Sequence, residues 1–342
     1  MAKPRFEVLD ALRGVAAIAV VLYHLGLATK TPLARHGWVA VDFFFMLSGF
    51  IIAHAYDKKL AGDLTTKTFM IARLKRLWPL HLVGMALGLI AYAALALSQG
   101  KADTLPTLTL LALAGAVFAP IVAQAGVTAF VLNVPAWSLF YELIANLAYA
   151  AGFKLTSKPV LAGLSILGLL GIGANALVYG MLDVGWSSSN LVGGLARILF
   201  AFPLGALIYR LHVEGRFNAV RKVSPTILIV LFVALIWAPA QHDTLVDMLV
   251  IALVFPPFLI LAAQARFSKP SPLLIALGDL SYAIYATHMP TLLIASMIAG
   301  ALGARALTIL ISMPLVLVVA WVAQKWTTPS CKKAVDTRFA RA

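Results

Sequence analysis

The sequence predicts an all-α protein, a polytopic transmembrane helix bundle of about ten spans with both termini cytoplasmic. Three observations carry this prediction. Of 342 residues, 62% are hydrophobic and 12% charged, with a mean hydropathy of +0.94, whereas an ordinary soluble domain carries about 25% charged residues. Apolar runs of about 20 residues, the length that crosses a hydrocarbon core, follow one another through almost the whole chain. The basic residues behind a net charge of +14 gather in the connections between those runs, as the positive-inside rule requires. The basic surplus is therefore topological rather than the mark of a nucleic-acid partner. It also draws anionic substrates and membrane lipid to the cytoplasmic face.

The elements follow in order. The first span covers 9–28. Lys3 and Arg5 precede it as in a signal peptide, but Asp10 and Arg13 interrupt the run and no small-residue cleavage site follows, so it reads as retained. Further spans are predicted at 38–56, 77–98, 135–153, 159–181, 191–211, 224–240, 245–264, 277–299 and 304–326. Pro79 suits the first turn of the third span, and Asp279 can cap the start of the span at 277–299. Residues 106–125 are also apolar. The basic connections at 57–76 and 209–222 and the tail from Lys325 all face the cytoplasm only if this stretch adds no net crossing. Residues 101–134 are therefore read as a re-entrant or peripheral element on the outer side, with eleven spans as the alternative. Residues 1–330 form one membrane domain and 331–342 a short basic cytoplasmic tail. Cys331 stands alone, which excludes an intrachain disulfide and a cysteine-based metal site.

Ionisable residues at membrane depth are costly and mark function by default. Arg13 and His24 lie in the first span, eleven residues apart, so they share one helix face about 16 Å apart along its axis. Glutamate occurs at Glu7, Glu142 and Glu214, and Glu142 alone falls well inside a span, near the predicted depth of His24. A carboxylate there would orient the imidazole and raise its basicity; the structural alternative is a partner for a buried cation such as Arg197. Asp42 sits near the outer end of the second span, and Ser48–Gly49 lets another helix approach closely. Arg73 and Arg76 share a helix face at the cytoplasmic surface, where two guanidiniums can grip phosphates or serve as ordinary anchors. Ser281, Tyr285 and His288 fall at i, i+4, i+7 and line a polar cavity or pack through interhelical hydrogen bonds. No GxxxxGK[ST], HExxH or GxSxG motif is present.

Taken together, LDALRG with Arg13 and His24, VDFFFMLSGF, RLKRLWP, WSLFYE and SYAIYATH followed by Pro290 resemble the acyltransferase-3 family of membrane-bound O-acyltransferases, in family order across 7–290. The resemblance implies a bacterial inner-membrane enzyme. It would take an acyl group, most often acetyl, from cytoplasmic acyl-CoA and place it on a hydroxyl of a cell-surface or exported glycan or glycolipid. It carries the family's arginine and histidine onto Arg13 and His24, its paired arginines onto Arg73 and Arg76, and its Trp-Ser-x-x-x-Glu onto Trp137, Ser138 and Glu142. Its last motif falls on Ser281, Tyr282, Tyr285 and His288. Ala40 departs from the glycine that often precedes Val-Asp. Catalytic roles are thus expected at His24, Glu142, Arg13, Tyr285 and His288, and acetyl-CoA contacts at Arg73, Arg76, Arg13, Ser48 and Ser281, with no metal. No hydrolase-like domain is expected after the last span. Action alone, as a homo-oligomer, or with a separate periplasmic partner all stay open. The runner-up is a transporter or channel in which the same charged stripe carries protons or a polar solute.

Overall fold

The structure, a computed structural model, describes residues 6–122, 127–237, 243–269, 271–304 and 306–339, with side chains to residue 327. Lys3, Arg5, the predicted tail beyond 339 and the side chain of Cys331 lie outside the described residues.

Helix α1 (Glu7–Thr29) is followed by a short 3-10 turn and α2 (Ala40–Ala61). Next come α3 (Thr66–Ser98), α4 (Leu105–Ala116), α5 (Ala136–Ala151), α6 (Lys158–Tyr179) and α7 (Leu191–Val213). The chain continues through α8 (Pro225–Trp237), α9 (Thr244–Leu249), a π-helical turn (Val250–Val254) and α10 (Phe255–Gln264). It ends with α11 (Pro272–Ala301) and α12 (Leu307–Phe339). The described residues hold no strand, only a lone antiparallel bridge between Thr128 and Ser187.

All ten predicted spans correspond to helix, and eight described segments are long and apolar enough to cross a membrane. The other two fall short of the prediction. Helix α5, at the predicted 135–153, has 16 residues between Pro135 and Gly152, and α8, at 224–240, has 13 described residues. Helix α4 has twelve residues, about 18 Å against a hydrocarbon core of about 30 Å, too short to cross. It is pinned along α3: the Trp78 indole donates to Ala116 O and His81 Nε2 to Gly115 O, both 2.8 Å, and the His81 ring stacks on Phe118 at 3.9 Å.

Two boundaries differ from the prediction. Pro79 is not in a first turn but inside α3, which begins at Thr66, where the Thr65 hydroxyl caps the helix by accepting from Thr68 N. The basic segment 66–76 contains no glycine or proline, so nothing stops the helix from extending out of the apolar zone. Asp279 does not cap α11, which begins at Pro272 after Ser271.

Small residues set the closest helix crossings. A Cβ on Gly49 of α2 would lie 1.9 Å from Phe202 O, and one on Gly205 of α7 would lie 1.9 Å from Met46 O. The close approach expected at Ser48–Gly49 is therefore to α7. Gly14 of α1 meets Leu277 and Gly278 of α11 in the same way. Arg13 reaches Gly278 and Ser281 while His24 reaches His288, so α1 and α11 run in the same direction. The predicted stripe on α1 thus faces the predicted stripe on α11.

Candidate active site

Helices α1, α2, α3, α5, α11 and α12 enclose a cavity of about 510 Å³. Its walls include Arg13, Ser48, Arg73, Arg76, Glu142, Ser281 and Tyr285, seven of the predicted site residues, with Arg13 and Ser281 in contact across 268 positions. Lys75, Asp279, Tyr282, Ser138 and Gln324 also line it.

The basic end belongs to α3. Arg76 is exposed and Lys75 half-buried. Arg73, one helical turn away, is buried, and its Nη2 donates to Glu142 Oε1 at 2.8 Å. The Ser48 hydroxyl donates to the same oxygen at 2.9 Å. This corrects the sequence reading of Glu142. The carboxylate does not meet His24; it pairs with a buried cation, as the structural alternative has it, but that cation is Arg73 rather than Arg197. Periodicity gives a residue's depth and face but not which helix stands opposite, and a carboxylate at depth gains most from a permanent cation. Arg73 Nε is buried with no hydrogen-bond partner among the described residues, although its residue lines the cavity.

Arg13 enters from the opposite wall. Its Nε donates to Ser281 Oγ and its Nη2 to Gly278 O, both 2.8 Å, and Asp10 stands 3.1 Å away. The Tyr282 hydroxyl bonds to Leu77 O, tying α11 to α3. Tyr285 lies at the junction between the cavity and the histidines. Its hydroxyl meets Ser138 Oγ at 2.6 Å, its ring packs edge-on against Phe44, and on the other side its ring centroid lies 5.8 Å from that of His288.

His24 and His288 are not in the cavity wall but just past Tyr285. His288 is fully buried and His24 partly exposed. His288 Nδ1 lies 2.8 Å from Tyr285 O, His24 Nδ1 lies 3.0 Å from Val20 O, and His24 Nδ1 and His288 Nε2 are 3.1 Å apart. Carbonyl oxygens only accept, so both Nδ1 atoms carry hydrogen. With both rings neutral, the single Nδ1–H of His24 is shared between Val20 O and His288 Nε2, and the lone pair of His24 rests on Nε2. That is the tautomer a general base or nucleophile requires. His288 thus holds the place beside His24 that the sequence reading gave to Glu142.

A second polar cluster was not legible as a unit. Arg197 grips Asp42 through two hydrogen bonds (Nε–Oδ1 3.0 Å, Nη2–Oδ2 2.7 Å), and both side chains are essentially unexposed. Arg197 also donates to Val184 O and stands over the rings of Trp38 and Trp137 at 5.2 and 5.0 Å. Asp42 is therefore a structural anchor rather than an interfacial acid, and Trp137 faces its cation. Beside this pair, Asp183 accepts from the hydroxyl of Tyr23, the neighbour of His24. Among the described residues no cluster of three His, Cys, Asp or Glu side chains is placed to hold a metal.

The fold and the site define a multi-pass membrane protein with a basic internal cavity leading to paired histidines. The chain belongs to the acyltransferase-3 family: that family's profile, described as an acyltransferase domain, matches residues 6–325. Protein 2 in the picA locus of Rhizobium radiobacter is 37% identical over 176 residues, which is 47% of this chain and 90% of that protein. The peptidoglycan O-acetyltransferase OatA of Listeria monocytogenes is 39% identical over 75 residues, 21% of this chain and 11% of OatA. No solved structure matches the chain.

Proposed function

We propose that this acyltransferase-family protein is a bacterial inner-membrane O-acetyltransferase. It takes acetyl from acyl-CoA on the cytoplasmic side and places it on a hydroxyl of a glycan or glycolipid at the outer side, with both termini cytoplasmic. The observation that carries this reading is the continuity of the site. A cavity with Arg76 and Lys75 exposed or half-exposed at one end adjoins, through Tyr285, a histidine whose Nε2 lone pair is left for chemistry.

The residues take the following roles. Arg76, Lys75 and Arg73 hold the donor's phosphates. Glu142 and Ser48 fix the Arg73 guanidinium and keep its charge compensated at depth. Arg13, locked by Ser281 and Gly278 O, lies along the path of the thioester arm. His24 Nε2 accepts the proton of the acceptor hydroxyl as its oxygen attacks the thioester carbonyl. The C–O bond forms, the C–S bond breaks, and the proton passes from His24 to the leaving thiolate, giving the ester and free CoA thiol. His288 keeps Nδ1 of His24 engaged and so holds its tautomer. The Tyr285–Ser138 pair, with one hydroxyl hydrogen spent between them and the other near Pro135 O, has that second hydrogen to turn toward the cavity side, where charge builds on the carbonyl oxygen. The thioester supplies the driving force, so neither nucleotide hydrolysis nor a metal is needed.

The test uses purified protein in nanodiscs with radiolabelled acetyl-CoA. His24→Ala should lower CoA release by about 10²–10⁴-fold, the range for loss of a general base. His288→Ala should lower kcat while leaving donor KM unchanged. The double variant Arg73→Ala/Arg76→Ala should weaken donor binding. Binding of neither acetyl- nor succinyl-CoA by the wild type would remove the donor assignment and bring the transporter reading forward.

A further inference from the structure

Resting on that reading, we infer that the loop between α6 and α7, residues 180–190, is the acceptor subsite. In it, the Asp183 carboxylate accepts hydrogen bonds from the hydroxyls of a pyranose, and the Trp186 indole packs on the ring face.

Position comes first. The end of α7 that carries Arg210 pairs with Asp57 at the end of α2 (2.8 Å), and α2 leads straight into the basic segment that begins α3. The loop 180–190 precedes Leu191, at the far end of α7 from Arg210. It therefore lies at the end of the bundle opposite the arginines of the donor cavity, the end toward which α1 carries His24.

Two contacts connect the loop to the reaction centre. Tyr23 donates its hydroxyl to Asp183 Oδ2 at 2.9 Å, and the Tyr23 ring lies edge-on to His24 with centroids 5.2 Å apart. One side chain thus separates the carboxylate from the imidazole. A hydroxyl presented to His24 would belong to a molecule within reach of Asp183.

The backbone of this loop is fixed while the side chains of Asp183 and Trp186 are only partly covered. Asn190 Oδ1 accepts from both Gly185 N and Ser187 N at 3.0 Å, and Asn190 is itself buried. Arg197 holds Val184 O at 2.9 Å. On the other side, Ala129 N donates to Trp186 O and Ser188 N to Val127 O, at 2.8 and 2.9 Å. Gly185 has φ +111°, and a Cβ there would meet the Trp137 ring at 2.8 Å, so the turn admits only glycine. From this frame the Asp183 side chain remains 26% exposed and Trp186 half-buried, its indole N–H donating to Asp183 O. A rigid loop presenting an accessible carboxylate beside an indole suits a neutral polyol with an apolar face. It suits an anionic or fully apolar acceptor poorly.

The experiment measures CoA release from acetyl-CoA in nanodiscs with three probes, the methyl glycosides of glucose, galactose and N-acetylglucosamine, against n-propanol. At least one glycoside should accelerate release saturably and propanol should not. Asp183→Asn, which keeps the shape beside Arg197, should raise the glycoside KM about tenfold or more, as loss of a hydrogen bond to a charged group predicts. Trp186→Leu should do the same, and the Kd for acetyl-CoA should stay within twofold in both variants, which also shows that they fold. Glycoside binding is read in parallel, without donor, from quenching of tryptophan fluorescence, a signal that Trp186→Leu must remove. Unchanged glycoside KM in both variants, propanol as effective as the sugars, or quenching that survives Trp186→Leu would each overturn the assignment. Failure of the donor reading shows separately, as absent acetyl-CoA binding in the wild type, and the fluorescence measurement still decides the subsite.

Discussion

The Arg197–Asp42 pair should be the most costly single contact in the bundle to break on one side only. The guanidinium is 1% exposed and the carboxylate 0%, with two hydrogen bonds of 3.0 and 2.7 Å between them. In Asp42→Asn the cation stays at membrane depth and loses its principal counter-charge. Leaving one member of such a pair uncompensated costs about 3–5 kcal/mol. Asp183 remains 3.7 Å from Arg197 Nη1, and Trp38 and Trp137 still offer their faces, so the lower end, about 3 kcal/mol, is expected. Removing both charges in Asp42→Asn/Arg197→Met, with Arg197→Met as the second single, leaves no charge of the pair uncompensated and should recover more than half of that loss. The two sites should therefore show a coupling of at least about 2 kcal/mol in a double-mutant cycle. Unfolding in mixed micelles, followed by helicity and by the fluorescence of the two tryptophans beside the cation, gives the four stabilities. A loss below about 1 kcal/mol in Asp42→Asn, or a double variant as unstable as the sum of the singles, would refute the view that this pair is fully desolvated.

Other predictions concern packing and the donor site. In Gly49→Ala the new methyl must move at least an ångström from Phe202 O, so α2 and α7 separate; the expected cost is about 1–3 kcal/mol, with Ser48 drawn off Glu142 and donor affinity reduced. Thermal unfolding and acetyl-CoA titration check both effects, and a variant of wild-type stability would contradict the close crossing. Because Arg76 is exposed and Arg73 buried against Glu142, the share of donor affinity lost in Arg76→Ala should shrink between 50 and about 500 mM salt through screening, while that lost in Arg73→Ala should not. Equal salt dependence for the two variants would count against a phosphate contact at the cavity mouth.

Much of the site was legible because helical periodicity survives in a membrane. The spacing of Arg13 and His24 fixes one stripe, and that of Ser281, Tyr285 and His288 fixes another; the bundle places the two stripes face to face. The pairing of helices was not legible. Nothing in the local sequence around Glu142 says that α3 rather than α1 stands opposite, so depth and face alone point to the wrong partner. The same limit hides the Asp42–Arg197 pair, whose two residues stand out in the sequence only singly. Asp183 went unread for a different reason. It stands in a loop, where no period applies, and its meaning comes from Tyr23, a residue 160 positions away that looks like an ordinary interfacial aromatic. Span lengths failed where turn chemistry intervened: Pro135 and Gly152 trim α5, and Thr65 starts α3 a full eleven residues before the apolar zone.

The arrangement of charge bears on how a group could cross this protein without the protein opening. Carrying a polyanionic donor through the bundle would mean burying several charges, each worth several kcal/mol at depth. The guanidiniums that would bind those charges are instead concentrated at one end of the cavity, with Arg73 already neutralised by Glu142. Past Tyr285 come the imidazoles of His288 and His24, and the Tyr285–Ser138 contact of 2.6 Å lies beside the cavity. Under the proposed chemistry only the thioester end of the donor, which is small and uncharged, has to reach that point, with the phosphates left at the arginines, while the acceptor approaches from the side of Tyr23 and Asp183. A solute carrier built on the same residues would need a continuous polar route, and its Tyr285→Phe variant should conduct as well or better. An acyltransferase that uses the Tyr285 hydroxyl at the carbonyl should instead lose kcat by about 10²-fold or more in Tyr285→Phe, with donor affinity retained.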